Sequence, residues 1–174
     1  MVNKLFFSSL ICLFIISCLT IKTKKLTYKN TFHLASDIIH TNGFYYHNYI
    51  PNIPSRDNII YIIVFFQNGY VFQAGYSSIE AAKTALMEPN TYNFRYGWGV
   101  YRIDNDTVKI QTFVSSGGGP TPVWDVIEDR GIIKSPELIT INLSIFGTKQ
   151  NIESKRYEFI TSKIASDGNN WLMK

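Results

Sequence analysis

The chain has 174 residues, of which 45% are hydrophobic and 15% aromatic, and its net charge is +4. From Thr31 onward, 12 Lys and Arg stand against 13 Asp and Glu, so the basic excess lies before that residue. A near-neutral body argues against nucleic-acid binding, which needs a basic face. The length fits one domain, and the hydrophobic content is sufficient for a core.

The first residues have the pattern of a secretory signal peptide. Lys4 precedes an apolar block from Leu5 to Ile21 that several hydroxyl side chains interrupt. A membrane-spanning helix needs about 20 predominantly apolar residues, and this block is at the lower edge of that range. The alternative interpretation is an uncleaved anchor helix with Lys4 and Lys22 at its two ends.

The tetrapeptide Ile15-Ile16-Ser17-Cys18 ends this block and resembles the lipobox of bacterial lipoproteins. The resemblance implies that the thiol of Cys18 receives a lipid and that cleavage makes Cys18 the first residue of the mature protein. Two or more acyl chains hold a protein firmly at a membrane. We therefore predict a signal peptide over residues 1–17. The predicted location is the cell envelope, with the lipid in the outer membrane or at the periplasmic face.

Residues 18–41 are predicted to form a basic tether, with a candidate short helix from Thr31 to Thr41. A basic segment beside a lipid anchor suits an anionic membrane surface, and a solvated spacer is the alternative. Removal of residues 1–17 leaves 157 of the 174 residues, with Cys18 as the only cysteine. A disulfide within the mature chain is therefore excluded.

Residues 42–174 are predicted to form one β-barrel-like domain, which begins with an aromatic strand at Gly43. Two β-rich segments follow, IIYIIVFF over 59–66 and YVFQAGY over 70–76. Asn68-Gly69 between them indicates a two-residue type I′ hairpin, which would place Phe66 opposite Val71. The first segment is apolar at every position, which predicts a strand covered on both faces.

A short helix is predicted after this hairpin. Ser77 and Glu80 fit the S-x-x-E capping box, in which the serine caps the first turn. Alanine and leucine follow at helix-favouring positions, and Pro89 is expected to end the helix.

A second hairpin is predicted over Trp98–Phe113, with Asn105-Asp106 in the turn. This register places Ile103 opposite Val108 and gives the alternation of a half-buried antiparallel sheet. A glycine-rich loop over 115–122 then follows.

The last part of the chain predicts three more strands. They are expected over Trp124–Ile133, over Leu138–Phe146 and around Tyr157 and Phe159, with a turn at Ser135-Pro136. The middle strand alternates cleanly, which places four side chains inward: Ile139, Ile141, Leu143 and Ile145.

Successive hairpins with one apolar face predict an all-β fold, an antiparallel meander that closes as a barrel and carries one short helix. The segments NGFYY, FFQNGYVF, WGVYRIDNDTVKI and RYEF also resemble those of small lipocalin-like lipoproteins of bacteria. The resemblance spans most of residues 42–161 and implies a lipocalin-like barrel. Apart from Cys18, it implies no functional residue.

Aromatic side chains on the predicted strands are the candidate ligand-binding residues, because barrels of eight strands can hold one small ligand. Tyr101 and Trp124 are expected to contact the ligand near the glycine-rich loop, which would act as a lid. The alternative is that these rings fill the core. The full candidate set is Tyr61, Trp98, Tyr101, Trp124 and Tyr157.

Other constellations have simpler explanations. His33, His40 and His47 are spaced by seven residues, but no supporting ligand pattern accompanies them, and surface histidines are the simpler interpretation. Asp125, Glu128 and Asp129 allow an acid pair for hydrolysis, against the simpler interpretation of a solvated strand end. No cofactor motif is present, because SSGGGP lacks the ending of a phosphate-binding loop.

Three functions follow from these observations. The first is a lipid-anchored binding module for a small apolar ligand or an envelope protein. The second is a structural or interaction lipoprotein whose filled barrel acts through its surface. The third is a hydrolase, which has the least support because no nucleophile–base set and no metal set is visible.

Overall fold

A computed structural model describes residues 26–28, 38–49, 58–93, 96–115, 124–143 and 153–165. Cys18, His33, Ile145 and most of the glycine-rich loop lie outside these residues, as does the candidate short helix up to residue 37. The elements are β1 (Gly43–Tyr49), β2 (Ile59–Phe65), β3 (Tyr70–Tyr76), α1 (Ile79–Met87), a 3-10 helix (Pro89–Asn93), β4 (Trp98–Asp104), β5 (Thr107–Ser115), β6 (Trp124–Ser135), β7 (Leu138–Leu143) and β8 (Glu153–Thr161).

The eight strands form a closed antiparallel barrel in which each strand pairs with its neighbours in sequence. β8 returns to β1 and closes the barrel, with Tyr45 opposite Phe159. Closure removes the exposed sheet edges that an open meander would present. The predicted all-β meander with one helix is therefore confirmed.

The β2–β3 hairpin differs from the prediction by one residue. Phe65, not Phe66, lies opposite Val71. The amide of Gly69 donates to the carbonyl of Phe66 at 3.0 Å, and Gly69 has a φ of 83°. This is the three-residue loop in which a left-handed glycine follows the turn. The shift leaves the Phe66 side chain on the outer face of the barrel, where it stacks on Trp98.

The predicted β4–β5 register is confirmed, because Ile103 lies opposite Val108. Asn105 occupies the turn with a φ of 57°, a left-handed conformation that asparagine tolerates. Ile139 and Ile141 of β7 face the interior as predicted. The structure describes the backbone of Leu143 but not its side chain, so its inward placement stays a prediction.

The barrel interior holds one of two apolar clusters. One end of the barrel, here called the packed end, is filled by Tyr45, Phe65 and Tyr101, whose rings meet edge to face. Ile39, fully buried, covers this end from the segment before β1. The hydroxyl of Tyr101 donates to the carbonyl of Phe66 at 2.9 Å, so this buried hydroxyl is satisfied.

The second cluster lies outside the barrel, between α1 and the outer faces of β1 to β4. Ala82 and Leu86 of α1 are fully buried there. β2 contributes side chains to both clusters, which explains why it is apolar on both faces. The prediction that this strand is covered on both faces is therefore confirmed. The helix begins one residue later than the capping box implied: Ser78 is the N-cap, and its hydroxyl accepts from the amide of Ala81 at 3.0 Å.

Residues 26–28, here called the N-terminal strap, lie on the outer face of β5 and β6. The Gln111 side-chain oxygen accepts from the amide of Thr27 at 2.8 Å. The hydroxyl of Tyr28 donates to Glu128 at 2.7 Å. These contacts fix the start of the described chain against the barrel wall.

Within the described ranges, no helix is both long enough and apolar enough to span a membrane.

Candidate functional site

A cavity of about 330 Å³ opens at the end of the barrel opposite the packed end. This open end is where β5 ends and β6 begins, so the strand termini that flank the glycine-rich loop lie beside it. The volume is in the range of small-molecule sites in proteins. The barrel interior is therefore divided between a filled end and a hollow end.

The cavity walls are mostly apolar and aromatic. Ile63, Val114 and Ile127 point inward from three strands. Two tyrosines stand at the rim, where Tyr61 is 38% exposed and Tyr96 is 60% exposed. Exposed rings at the rim of an apolar cavity offer a ligand apolar contact at the entrance as well as inside the cavity.

Two opposite charges lie in the same wall. Asp129 is 2% exposed and Lys155 is 7% exposed, and both line the cavity. The Lys155 ammonium lies 4.7 Å from the centre of the Tyr49 ring and 5.8 Å from that of Tyr61, within the range of cation–π attraction. Asp129 is therefore not part of a solvated strand end, as its sequence context had suggested, but a buried group in the hollow end of the barrel.

Tyr157 lies against this charged wall. Burial raises the pKa of its phenol well above the usual value, and the negative charge of Asp129 raises it further. The phenol thus keeps its proton at alkaline as well as at neutral pH, as a hydrogen-bond donor beside the cavity.

Two further polar residues line the cavity from β3 and β5. The Gln73 Nε2 and Thr112 Oγ1 atoms are buried, and neither has a hydrogen-bond partner within the part of the chain that the structure describes. Thr112 is only 2% exposed. An unpaired buried polar group costs about 1–3 kcal/mol, so these two atoms lower the stability of this end of the barrel.

The structure brings two of the five predicted ligand-binding residues to the cavity, Tyr61 and Tyr157. Tyr101 faces inward but lies in the packed end. Trp98 is fully buried in the outer cluster, where its indole donates to the carbonyl of Tyr92 at 3.1 Å. Trp124 begins β6, and the alternation of that strand places it on the outer face, like Glu128.

The histidines and acidic residues singled out in the sequence lie apart. His40 approaches Glu137 at 3.4 Å, whereas His47 contacts the Arg156 carbonyl at 3.1 Å. Among the residues placed by the structure, no group of three His, Cys, Asp or Glu is arranged to hold a metal ion. Glu128 and Asp129 are consecutive in β6 and so face opposite sides of the barrel wall.

Besides tyrosines, four polar or charged residues of the cavity were absent from the predicted ligand-binding set: Gln73, Thr112, Asp129 and Lys155. The sequence did carry a signal for Lys155. It lies two residues before Tyr157 in the same strand, so the two side chains share a face. Asp129 is likewise in phase with Ile127 and Ile133 along β6. A charged residue in phase with apolar neighbours on a predicted strand indicates a buried polar site.

Comparison with models of protein families, with characterised proteins and with solved structures gave no match to this chain.

Proposed function

We propose that this protein binds a small, mainly apolar molecule in the open end of its barrel. The observation that carries the proposal is the cavity of about 330 Å³, with its apolar walls and few buried polar groups. Protein sites for small molecules have this composition, because apolar area supplies affinity and a few polar groups fix orientation. The fold is compatible with such a lipocalin-like binding domain.

The cavity argues for binding over the alternative of a filled barrel that acts only through its surface. Side chains fill the packed end around Phe65 and Tyr101, but at the open end the inward positions include Gly75 and Thr112, which are small. Empty apolar space forfeits contacts between atoms, and a bound molecule restores them.

We further propose that the protein is a cell-envelope lipoprotein held by a lipid on Cys18. Support comes from the lipobox-like sequence before that residue. The strap adds a geometric consequence: the chain from Cys18 to Thr27 spans at most roughly 30 Å when fully extended. Because Thr27 is bonded to Gln111, a lipid on Cys18 would keep the barrel close to the membrane surface.

Methyl-detected NMR tests the binding proposal, with the full chain in lipid nanodiscs and isoleucine methyl groups labelled. Naphthalene is the probe, and titration of empty nanodiscs corrects for its partition into lipid. We expect saturable shifts of the Ile63 and Ile127 signals at the cavity and little change at Ile139 in the packed end. Shifts that are absent, or equal at all three residues, would contradict the proposal.

A matched pair of variants locates the site. Ile127→Trp fills the cavity, whereas Val126→Trp adds the same bulk to the outer face of β6. We expect Ile127→Trp to abolish the Ile63 shift and Val126→Trp to preserve it. Intact-mass analysis of the purified chain tests the anchor, since an unprocessed and unlipidated product would contradict it.

A further inference from the structure

The two ends of the barrel present different surfaces to their surroundings. Two tyrosines with exposed rings stand at the rim of the open end, Tyr61 at 38% and Tyr96 at 60% exposure. The half-buried ring of Tyr49 lies beside Tyr61, and the two ring centres are 5.9 Å apart. A tyrosine combines an apolar ring with a polar hydroxyl, so it is favoured where an apolar phase meets water.

The packed end is closed by turns that carry charge. The β4–β5 turn holds Asp106 and the β6–β7 turn holds Glu137, and both residues are exposed. Asp104 lies beside the first turn, in ion pairs with Arg102 and Lys109 at 2.8 Å. Contact with a lipid surface would take water away from these charges, which is costly. The chemistry of the two ends therefore favours the open end as the one that meets lipid.

The rim of the open end is lowest at β4. Among the described residues, the last hydrogen bond between β3 and the chain that leads into β4 joins the Gln73 amide to the Gly97 carbonyl, whereas β3 continues to Tyr76. Gly75, on this continuing part of β3, is exposed, as is Tyr96 just before β4. Because Gly75 and Tyr96 both line the cavity, this low part of the rim is a way into it.

The chain ahead of the strap sets how far the barrel lies from a membrane. Thr27, which is bonded to Gln111 of β5, follows Cys18 by nine residues, and these span at most roughly 30 Å. From Gln111 to Ser115, at the open end, β5 rises by roughly 13 Å. The rim is therefore close enough to contact a membrane that holds Cys18.

We infer that the open end of the barrel docks on a lipid bilayer, with the rim tyrosines at the level of the head groups and the mouth of the cavity turned toward the lipid. This inference rests on the proposed function, because it states where the apolar ligand comes from: the ligand passes between the bilayer and the cavity without crossing bulk water. The exposed rings supply contact with the bilayer, and the low part of the rim beside Tyr96 is the route.

A paramagnetic lipid tests the orientation. The full chain is prepared in nanodiscs of phosphatidylcholine and phosphatidylglycerol in which a small share of the lipid carries gadolinium on its head group, and isoleucine methyl groups are observed by NMR. Broadening falls with the sixth power of the distance from the gadolinium. We expect it to be several-fold stronger at Ile59, near the rim, than at Ile103, beside the β4–β5 turn. Equal broadening at the two residues, or stronger broadening at Ile103, would overturn the inference.

Matched variants test the tyrosines. Tyr61→Ser and Tyr96→Ser remove the exposed rings at the rim, whereas Met87→Ser removes a 50% exposed side chain from α1, outside the barrel. We expect the double tyrosine variant to bring the ratio of broadening at Ile59 to that at Ile103 closer to one, and Met87→Ser to keep the wild-type ratio. An unchanged Ile103 chemical shift reports that the barrel stays folded. A folded double variant with the wild-type ratio would contradict the docking of this rim.

The outcomes separate this inference from the proposed function. If naphthalene shifts the Ile63 and Ile127 signals but broadening shows no preference for Ile59, the open end does not face the bilayer, and the binding proposal stands. If broadening is strongest at Ile59 but naphthalene causes no shift, the docked end is confirmed, and the proposal of a ligand in the cavity is wrong.

Discussion

The two ends of the barrel interior use the same alternation of inward and outward residues but differ in what points inward. At the packed end the inward residues are large and apolar, and their polar atoms are bonded within the fold, as at Tyr101. At the open end they are smaller or polar, and Thr112 and Gln73 leave polar atoms unbonded. The comparison indicates that stability and binding are separated along the barrel axis.

Truncation of the core should expose this difference most strongly. Phe65 is fully buried, with its ring centre 4.9 Å from that of Tyr101. We expect Phe65→Ala to lower the free energy of unfolding by about 3–5 kcal/mol, because it creates a cavity in a packed region. Ile127→Ala at the open end should cost less than about 2 kcal/mol, since that side chain already borders empty space. Urea denaturation measures both, and equal losses would contradict the division.

The next effect concerns the β2–β3 turn at the packed end. Gly69 has a φ of 83°, which a β-branched residue resists. We expect Gly69→Val to lower the free energy of unfolding by about 1–3 kcal/mol. Gly69→Asn is the matched control, because asparagine tolerates a left-handed conformation and should lose less. A Gly69→Val variant as stable as wild type would show that the turn adapts without strain.

The packed end should also contribute to the response to alkaline pH, together with other buried tyrosines such as Tyr92 and Tyr157. Burial raises the pKa of both Tyr45 and Tyr101 to about 12 from a usual value of 10.0. Between these pH values the unfolded chain releases these protons and the folded chain keeps them. Folding stability is therefore complete below about pH 10 and falls as the pH rises toward 12, by up to about 1.4 kcal/mol per pH unit for each group.

Absorbance of tyrosinate during a pH titration checks this prediction. Tyr101→Phe should remove one of the late-titrating groups from the folded protein and reduce the slope of stability against pH. Ile139→Val, which alters the packed end without removing a phenol, provides the comparison, because it should leave that slope unchanged. Stability that does not change between pH 10 and 12 would contradict the assignment.

The smallest effect is expected at the strap, on the outer wall. Gln111→Leu removes the side-chain oxygen that accepts from the amide of Thr27. The Gln111 side chain also bonds the amide of Tyr28 and the hydroxyl of Thr27. We expect a loss of stability of only about 1 kcal/mol, because water replaces these partners at the exposed Thr27. Hydrogen exchange at residues 27 and 28 should rise, whereas Thr140→Leu on the outer face of β7 should leave it unchanged. Unaltered exchange in Gln111→Leu would mean that other contacts hold the strap.

Much of the fold follows from the local sequence. For Ile103 to lie opposite Val108, the chain needs only a turn at Asn105-Asp106 and side chains that alternate between the two faces of each strand. Both features are visible in the sequence. The β2–β3 hairpin needed more. Asn68-Gly69 allows a two-residue or a three-residue loop, and the contact of Phe66 with Trp98, distant in sequence, accompanies the second.

The sequence by itself determined the meander, the short helix and the apolar face of each strand, because alternation, turns and caps act over a few residues. Tertiary structure decided where the barrel is hollow and that Asp129 and Lys155 share that space. These two residues lie on β6 and β8, which both flank β7, so they reach one face of the sheet only when these three strands pair. Closure of the barrel by β8 and β1 brings Tyr61 and Tyr157 to the same cavity, and Trp98 stays in the outer cluster.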